Sequence, residues 1–234
     1  MKKIPWYLFC VLGACAGPNV PEPEFSLPDG FEATVFHEGL GKIRHIAVRD
    51  NGDVYVARRF ALEVRMFNQQ ASYGGLIALR DTDGDGVADV VEEFGPTDVT
   101  TGLAIHAGHL YFSSEVTVYR VPLDDHLVPA AVPEPIAGGF PLQGTHGSKT
   151  LAFDGSGNMY VNSGTPSNVC QEQNNKRESP GLNPCPQLER SGGIWRFAAD
   201  KKLQDQVRDG ERYVTGTRNV VALEWNDHAN RLYF

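Results

Sequence analysis

The sequence is short of cysteine, of clustered basic residues and of long apolar runs, and each shortage excludes a class of protein. Only four of its 234 residues are cysteine, and none form a C-x-x-C or C-x-x-C-H motif, which argues against a zinc finger and against covalently attached haem. Lysine and arginine are not clustered and the net charge is −8, so we expect no nucleic-acid partner. No apolar run beyond the N-terminus is long enough to cross a membrane. Helix signals are also scarce, because glycine or proline interrupts most of the windows that are long enough for a helix.

The N-terminus has the pattern of a bacterial lipoprotein signal. Two lysines precede an apolar segment at residues 4–14, which is too short to span a bilayer, and small residues then lead to Cys15. We therefore predict a signal peptide at residues 1–14, a lipid on Cys15 and a proline-containing tether at residues 15–26. A secretory signal cleaved nearby is the alternative. Both interpretations export the folded part, residues 27–234, to the periplasm or to the outer membrane, where the lipid alone would contact the membrane.

Cys170 and Cys185 are the two cysteines of the exported part. They bracket a polar loop that contains proline, and cysteines in an oxidising compartment most simply pair with each other. A disulfide across this loop would stabilise the fold by roughly 3 kcal/mol in the chain-entropy model. No nearby histidine completes a metal site, so we predict a Cys170–Cys185 disulfide.

The chain repeats one pattern of a short apolar strand, a tight turn and a second strand that carries an aromatic residue. The four copies join residues 46–48 to 54–56, 103–105 to 110–112, 151–153 to 159–161 and 223–225 to 232–234. This is the pattern of the inner hairpin in a β-propeller blade, and the copies lie about 50 to 70 residues apart. The repeats predict an all-β fold, a β-propeller. Because four copies are few and the last one ends the chain, we expect a fragment of a longer propeller, with a complete four-bladed ring as the alternative.

An acidic segment at residues 81–92, DTDGDGVADVVE, matches the calcium loop of an EF-hand. Oxygen ligands lie at loop positions 1, 3, 5, 9 and 12, and glycine lies at position 6. The predicted ligands are Asp81, Asp83, Asp85, the carbonyl of Val87, Asp89 and Glu92. The flanking residues resemble strands, whereas an EF-hand continues into a helix that aims its last glutamate. A bound calcium ion would have a structural role at the propeller rim, and a solvated acidic turn is the alternative.

A second group of polar residues lies on the connections that lead into two of the repeats. His146 and Lys149 precede the third repeat, and Arg218 with Asn219 precedes the fourth. Propellers display functional residues on such connections, around the central channel. We expect the cations, the amide and the histidine to converge on one pocket. That pocket would suit a small planar anion, because arginine offers a donor fork, lysine a point charge and histidine a base near neutral pH.

Four motifs in order resemble the pyrroloquinoline quinone (PQQ) dependent sugar dehydrogenases, in the sorbosone dehydrogenase-like branch of the soluble glucose dehydrogenase superfamily. They are His146 with Leu151 five positions later, Ser163–Cys170, Gly192–Phe197 and Thr215–Asn219. The resemblance covers the chain from Leu27 onward. It implies a six-bladed propeller, of which roughly the first four blades are present here. It also implies oxidation of an aldose or a sorbosone-like sugar, with hydride transfer to the quinone.

The resemblance implies a role for each matching residue. His146 matches the general base, Arg218 the arginine over the quinone carbonyls, and Asn219 a cofactor-binding asparagine. Lys149 and Arg44 have no counterpart, and we assign them to the cofactor carboxylates on charge alone. Besides PQQ, the family holds Ca²⁺ under the cofactor, partly through carbonyls after the Arg-Asn pair. Here that position reads Val220-Val221 in place of proline and glutamine.

Two functions other than that of a sugar dehydrogenase remain open. The dehydrogenase interpretation itself requires an electron acceptor. Without a haem motif, electrons would leave through an external acceptor, a cytochrome or a quinone. A non-catalytic, surface-anchored binding propeller is the first alternative. A calcium-dependent lactonase is the second, but it would place acidic metal ligands at the channel, whereas the acidic segment of this chain lies in a peripheral hairpin.

Overall fold

The computed structural model describes residues 26–58, 74–143, 145–147 and 149–234, and the regular secondary structure of this part of the chain is almost entirely β-strand. Apart from one short 3-10 turn, Pro186–Glu189, it contains no helix in these ranges. No helix that could span a membrane is found there either. The predicted signal peptide and the predicted lipid on Cys15 lie outside the described residues, as does nearly all of the predicted tether.

The strands form three main sheets and a final hairpin. The first sheet has the order β1 (Ile43–Val48), β2 (Val54–Arg58), β3 (Gly75–Arg80) and β4 (Val90–Phe94). The second contains β5 (Leu103–His106), β6 (His109–Ser113), β7 (Val118–Pro122) and β8 (Glu134–Gly138). The third contains β9 (Leu151–Phe153), β10 (Asn158–Ser163), β11 (Gly193–Ala198) and β13 (Glu211–Thr215). The short strand β12 (Gln204–Asp205) lies between β11 and β13 in the sequence but belongs to the second sheet. The hairpin joins β14 (Glu224–Asn226) to β15 (Arg231–Tyr233).

The four predicted hairpins correspond to the pairs β1–β2, β5–β6, β9–β10 and β14–β15, all antiparallel. Each arises from a period-2 apolar pattern interrupted by residues that accept a tight turn. In the β5–β6 hairpin, His106 pairs with His109, and the two residues between them, Ala107 and Gly108, have φ of 45° and 73°. Two successive positive φ values define a type I′ turn, whose twist matches that of the strands. The predicted all-β propeller fold is confirmed.

A buried tyrosine on the second strand of each of the first three hairpins anchors the core. Tyr55, Tyr111 and Tyr160 are each at most 2% exposed. The hydroxyl of Tyr55 donates to the carbonyl of Leu127, and that of Tyr111 to the carbonyl of Ala199, both at 2.9 Å. Each of these bonds crosses from one sheet to the next. The aromatic residue of the repeat therefore buries apolar area and also fixes the spacing between neighbouring sheets.

The second sheet takes its outermost strand from the chain of the third. β12 lies between β11 and β13 in sequence, yet it pairs in parallel with β8, through Gln204 with Ala137 and Asp205 with Gly138. The buried side chain of Gln204 adds hydrogen bonds to the carbonyl of Ala198 at 2.8 Å and to that of Lys201 at 2.7 Å. The second and third sheets are therefore joined by main-chain pairing as well as by apolar packing.

The innermost strands surround one cavity. Residues of β1, β5, β9 and the segment leading into β14 line a space of about 560 Å³. The His45 ring lies at this cavity, with Nδ1 at the carbonyl of Thr101 and Nε2 3.3 Å from the carbonyl of Val221. This arrangement corresponds to the central channel expected of a propeller.

Gly102 packs against the backbone of Lys149 on the connection into the third sheet, and its replacement tests the packing of the second sheet on the third. A Cβ atom at position 102 would be 2.0 Å from the carbonyl oxygen of Lys149 and 2.3 Å from Oγ of Ser113. Gly102→Ala should lower the free energy of unfolding by about 1–3 kcal/mol, because backbone atoms must move apart. Urea unfolding measures this loss. Gly155→Ala is the control, since its Cβ would meet nothing closer than Asp227 at 3.9 Å. Equal stability of the two variants would contradict the packing.

Candidate functional site

His146 lies on the connection into β9 with a defined hydrogen-bond partner. Its φ of 52° is in the left-handed region, which is uncommon for a residue with a side chain. Its Nδ1 is 2.9 Å from the carbonyl oxygen of Thr165. Because a carbonyl can only accept, Nδ1 carries the hydrogen. In the neutral ring, the lone pair is therefore on Nε2, which makes Nε2 the basic atom.

Thr165 links the connection that carries His146 to the connection that carries Arg218. Its carbonyl receives the His146 ring, and its backbone N–H donates to the carbonyl of Arg218 at 2.8 Å. Its hydroxyl donates to the carbonyl of Ser167 at 2.6 Å. One residue at the end of β10 therefore fixes the histidine, the backbone of the arginine and the loop that follows.

Gly164 allows His146 and Asn219 to approach each other. A Cβ atom at position 164 would be 2.7 Å from Cβ of His146 and 3.1 Å from Oδ1 of Asn219, so both residues border the same point. The Asn219 oxygen accepts from Nδ2 of the buried Asn162 at 3.3 Å. Asn219 can therefore offer its amide N–H groups to a ligand. The Asn162 oxygen in turn accepts from the backbone N–H of Val220 at 3.2 Å.

The side chain of Arg218 is exposed and bound to a single neutral oxygen. Its Nε and Nη2 donate to Oδ1 of Asn168 at 3.1 Å and 2.5 Å. No ion pair joins Arg218 to a carboxylate within the described ranges. Sequence analysis placed Asn168 in a motif without giving it a role, because its partner lies fifty residues further along the chain.

Lys149, in contrast, is directed into the protein. Its side chain is fully buried, with Nζ donating to the carbonyl of Gly147 at 2.6 Å and lying 5.4 Å from the ring centre of Phe140. Burial lowers the pKa of Lys149 from 10.5 to about 8, against the opposing attraction of Glu115. This position favours a structural role over the predicted contact with a cofactor. Arg44 is exposed on β1, and no contact in the described part links it to His146 or Arg218.

Three of the six predicted calcium ligands are brought together. Carboxylate oxygens of Asp81, Asp83 and Asp89 lie within 4.8 Å of one another. Oδ atoms of Asp81 accept from the N–H groups of Gly86 and Gly84, and these bonds lower its pKa. The pKa of Asp89 is lowered in the same way, first by the N–H of Thr82.

Two other predicted ligands, Asp85 and Glu92, are not part of this group, and the carbonyl of Val87 stays a prediction. Asp85 uses one carboxylate oxygen to accept from the N–H of Val87 at 2.8 Å. Glu92 lies within β4, where it pairs with Ala78 of β3. The strand that replaces the exit helix of an EF-hand therefore holds Glu92 in the sheet and away from the three aspartates.

Two carbonyls that follow the Arg-Asn pair have partners within the chain. The carbonyl of Val220 accepts from the hydroxyl of Thr150 at 2.9 Å, and that of Val221 faces Nε2 of His45. Each of these two carbonyls therefore already faces a polar side chain of the protein.

The predicted disulfide is present between Cys170 and Cys185, whose Cα atoms are 6.0 Å apart. It closes the loop that begins directly after Asn168. The loop is also tied across its base, where the hydroxyl of Ser167 donates to Oε1 of Gln187 at 2.7 Å. The cross-link therefore lies beside the residue that binds Arg218.

The fold is similar to that of several solved structures. No family model and no curated protein matches the chain. Among solved structures, the holo PQQ domain of pyranose dehydrogenase from Coprinopsis cinerea superimposes with a TM-score of 0.69 at 19% identity, covering 92% of this chain and 49% of its own. The PQQ-bound aldose sugar dehydrogenase from Streptomyces coelicolor superimposes with a TM-score of 0.53 at 19% identity, covering 85% of this chain and 57% of its own. The chain has the propeller fold of these dehydrogenases.

A third solved structure is similar to the chain over a comparable length. The calcium structure of a family AA12 carbohydrate-active enzyme from Trichoderma reesei gives a TM-score of 0.59 at 18% identity, with 84% of this chain and 46% of its own covered. The resemblance to PQQ-dependent sugar dehydrogenases is confirmed at the level of the fold. The chain spans about half the length of the solved structures that it matches.

The buried Lys149 gives the stability of the protein a pH dependence that can be measured. Its pKa is about 8 in the folded chain and 10.5 ordinarily, so the folded state binds fewer protons between these values. The free energy of unfolding should therefore rise with pH in this window, by about 2 kcal/mol from pH 8 to pH 10 relative to Lys149→Met. Urea unfolding at several pH values tests this. Lys42→Met, at an exposed position, is the control, and parallel curves for wild type and Lys149→Met would contradict the prediction.

Proposed function

We propose that this chain provides the base and the arginine of a PQQ-dependent oxidoreductase that acts on sugars. The observation that supports the proposal is the arrangement around Thr165. There, one residue binds both the imidazole of His146, whose basic nitrogen is Nε2, and the backbone carbonyl of Arg218, whose guanidinium is exposed. The likeness to the solved sugar dehydrogenases is consistent with it, and the substrate class is taken from those enzymes.

The donors of the site fit the proposed cofactor. PQQ carries carboxylates and adjacent quinone oxygens, which require cationic or N–H donors. Within the described residues, Arg218 offers a guanidinium whose side-chain partner is a neutral oxygen, and Asn219 offers its amide N–H groups. When bound, PQQ would supply the acceptor for the two electrons released by the sugar. The buried ammonium of Lys149 is not assigned to the cofactor, and Arg44 is retained only on charge.

His146 would remove a proton from the substrate hydroxyl. Donation from Nδ1 to Thr165 fixes both the tautomer and the direction of the ring, so that Nε2 is ready to accept the proton of a sugar hydroxyl. An imidazolium formed in this way remains hydrogen-bonded at Nδ1, which stabilises it. Thr165 is therefore the residue that orients the base.

Replacement of the arginine tests the proposal most directly. In the full-length gene product, Arg218→Ala should weaken PQQ binding by at least about tenfold and abolish aldose-dependent dye reduction, because it removes the exposed guanidinium. Titration with PQQ and Ca²⁺, followed by absorbance, measures binding. Arg177→Ala, an exposed arginine in the disulfide loop, should change neither property. Full activity of Arg218→Ala would refute the assignment to Arg218, and a wild type that binds no PQQ would favour the anchored binding propeller.

We also propose that Ca²⁺ binds between Asp81, Asp83 and Asp89. Three hard oxygen donors within one coordination sphere, on a loop that also offers backbone carbonyls, suit this cation. The hydrogen bonds from Gly84, Gly86 and Thr82 already order two of the carboxylates. The ion would hold the β3–β4 hairpin, far in sequence from the residues around Thr165.

Removal of calcium should destabilise the protein. Saturation at 100 times the Kd stabilises a folded protein by about 2.7 kcal/mol, so chelation should lower the Tm by roughly 5–10 °C. Asp81→Asn should abolish this effect of chelation, because Asp81 is central to the group. Asp98→Asn removes an exposed carboxylate elsewhere and should leave the shift intact. A Tm that does not respond to Ca²⁺ in the wild type would reduce the loop to a solvated turn.

The proposal extends to the surroundings of the protein. A disulfide at Cys170–Cys185 is consistent with an exported chain. We propose that the chain is a bacterial lipoprotein anchored through Cys15, with the propeller in the periplasm or on the outer membrane. The electrons would then pass to an external cytochrome or quinone.

A further inference from the structure

Asn168 is the side-chain partner of Arg218, and it binds the guanidinium without neutralising it. Two N–H groups of Arg218 meet one amide oxygen, at 3.1 Å and 2.5 Å. We propose that Asn168 is a positioning residue, which fixes the direction of Arg218 and preserves its full positive charge for an anionic or carbonyl-bearing ligand. The choice of ligand rests on the proposed function, whereas the positioning does not.

The neutrality of the acceptor decides what the arginine can do. A guanidinium has five N–H donors, and Asn168 uses two of them. An aspartate at this position would accept the same two bonds but would cancel the charge, as in an ordinary Arg–carboxylate pair. An anionic ligand would then have to compete with a permanent internal partner. Asparagine gives the same geometry without that competition.

Asn168 is itself firmly held, although it is exposed. Its backbone N–H donates to Oδ1 of Asn174 at 3.2 Å. On one side, the buried Ser167 is bound to Gln187, and on the other, Cys170 is cross-linked to Cys185. A residue with these neighbours has little freedom to follow a moving side chain. Arg218 is therefore the partner that becomes ordered.

Arg218 is fixed at both of its ends. Its backbone carbonyl accepts from the N–H of Thr165, and its guanidinium donates to Asn168. A long exposed side chain normally loses rotamer freedom when it binds a ligand, which weakens the binding. Here, that freedom is lost on folding. Preorganisation by Asn168 should therefore strengthen binding through Arg218 even though Asn168 need not touch the ligand.

The first test observes the arginine without any ligand. In ¹⁵N-labelled full-length protein, the Nε–H of Arg218 should give a resolved, slowly exchanging NMR signal, identified by its absence in Arg218→Lys. The signal should persist in Asn168→Asp, which keeps an oxygen acceptor. In Asn168→Ala it should merge with the averaged signal of the other arginines. Gln173→Ala, in the same loop, is the control. A signal in Asn168→Ala unchanged from the wild type would overturn the proposal.

The second test separates charge from direction, with PQQ as the probe. Asn168→Ala should raise the Kd for PQQ several-fold, about three- to tenfold, through lost ordering. Asn168→Asp should raise it by about tenfold or more, and added salt should reduce this loss. All variants should keep the wild-type Tm. Equal affinity of Asn168→Asp and the wild type would refute the role of neutrality. If the wild type binds no PQQ, the proposed function fails, and the NMR result alone decides whether Asn168 positions Arg218.

Discussion

The candidate site depends on the backbone of Thr165. Its carbonyl fixes the tautomer of His146, and its N–H fixes the carbonyl of Arg218. Main-chain groups are suited to this task because their positions are set by the strand that precedes them, here β10, which is paired on both sides in the middle of a sheet. The geometry of the histidine and the arginine is therefore inherited from sheet pairing, and the side chains add only their chemistry.

The spacing of the sheets in turn sets where β10 ends. Tyr55 and Tyr111 each reach across to a carbonyl of the following sheet, and Gly102 lets the backbones of the second and third sheets approach closely. Buried Lys149 belongs to the same packing, because it binds the carbonyl of Gly147 directly beside the histidine. A charge that the sequence offers for ligand binding is thus used to support the connection that presents the base.

The hairpins could be predicted from the sequence, because strand alternation and turn residues act over a few positions. The neighbourhood of His146 and Asn219 could be predicted because both residues lie on connections that lead into copies of the same repeat. The disulfide followed from the small number of cysteines. The Asn168–Arg218 contact could not be predicted, since the two residues come from loops fifty positions apart. The burial of the Lys149 side chain could not be predicted either, because it depends on which side of the connection faces the core. The pattern of an EF-hand suggested six ligands, but β4 holds Glu92 in a sheet, so only three aspartates converge.

The pairing of β12 with β8 has a consequence for synthesis. On the ribosome, the second sheet emerges as β5 to β8, and β8 then has an open edge until Gln204 and Asp205 have been made. Unpaired strand edges are the sites at which nascent or truncated chains associate wrongly. A nonsense mutation between Gly138 and Gln204 would therefore release a chain whose second sheet is formed but lacks β12 at its edge, and a translational pause there would expose the same edge for longer. The short crossing strand protects the growing protein as much as it joins the finished one.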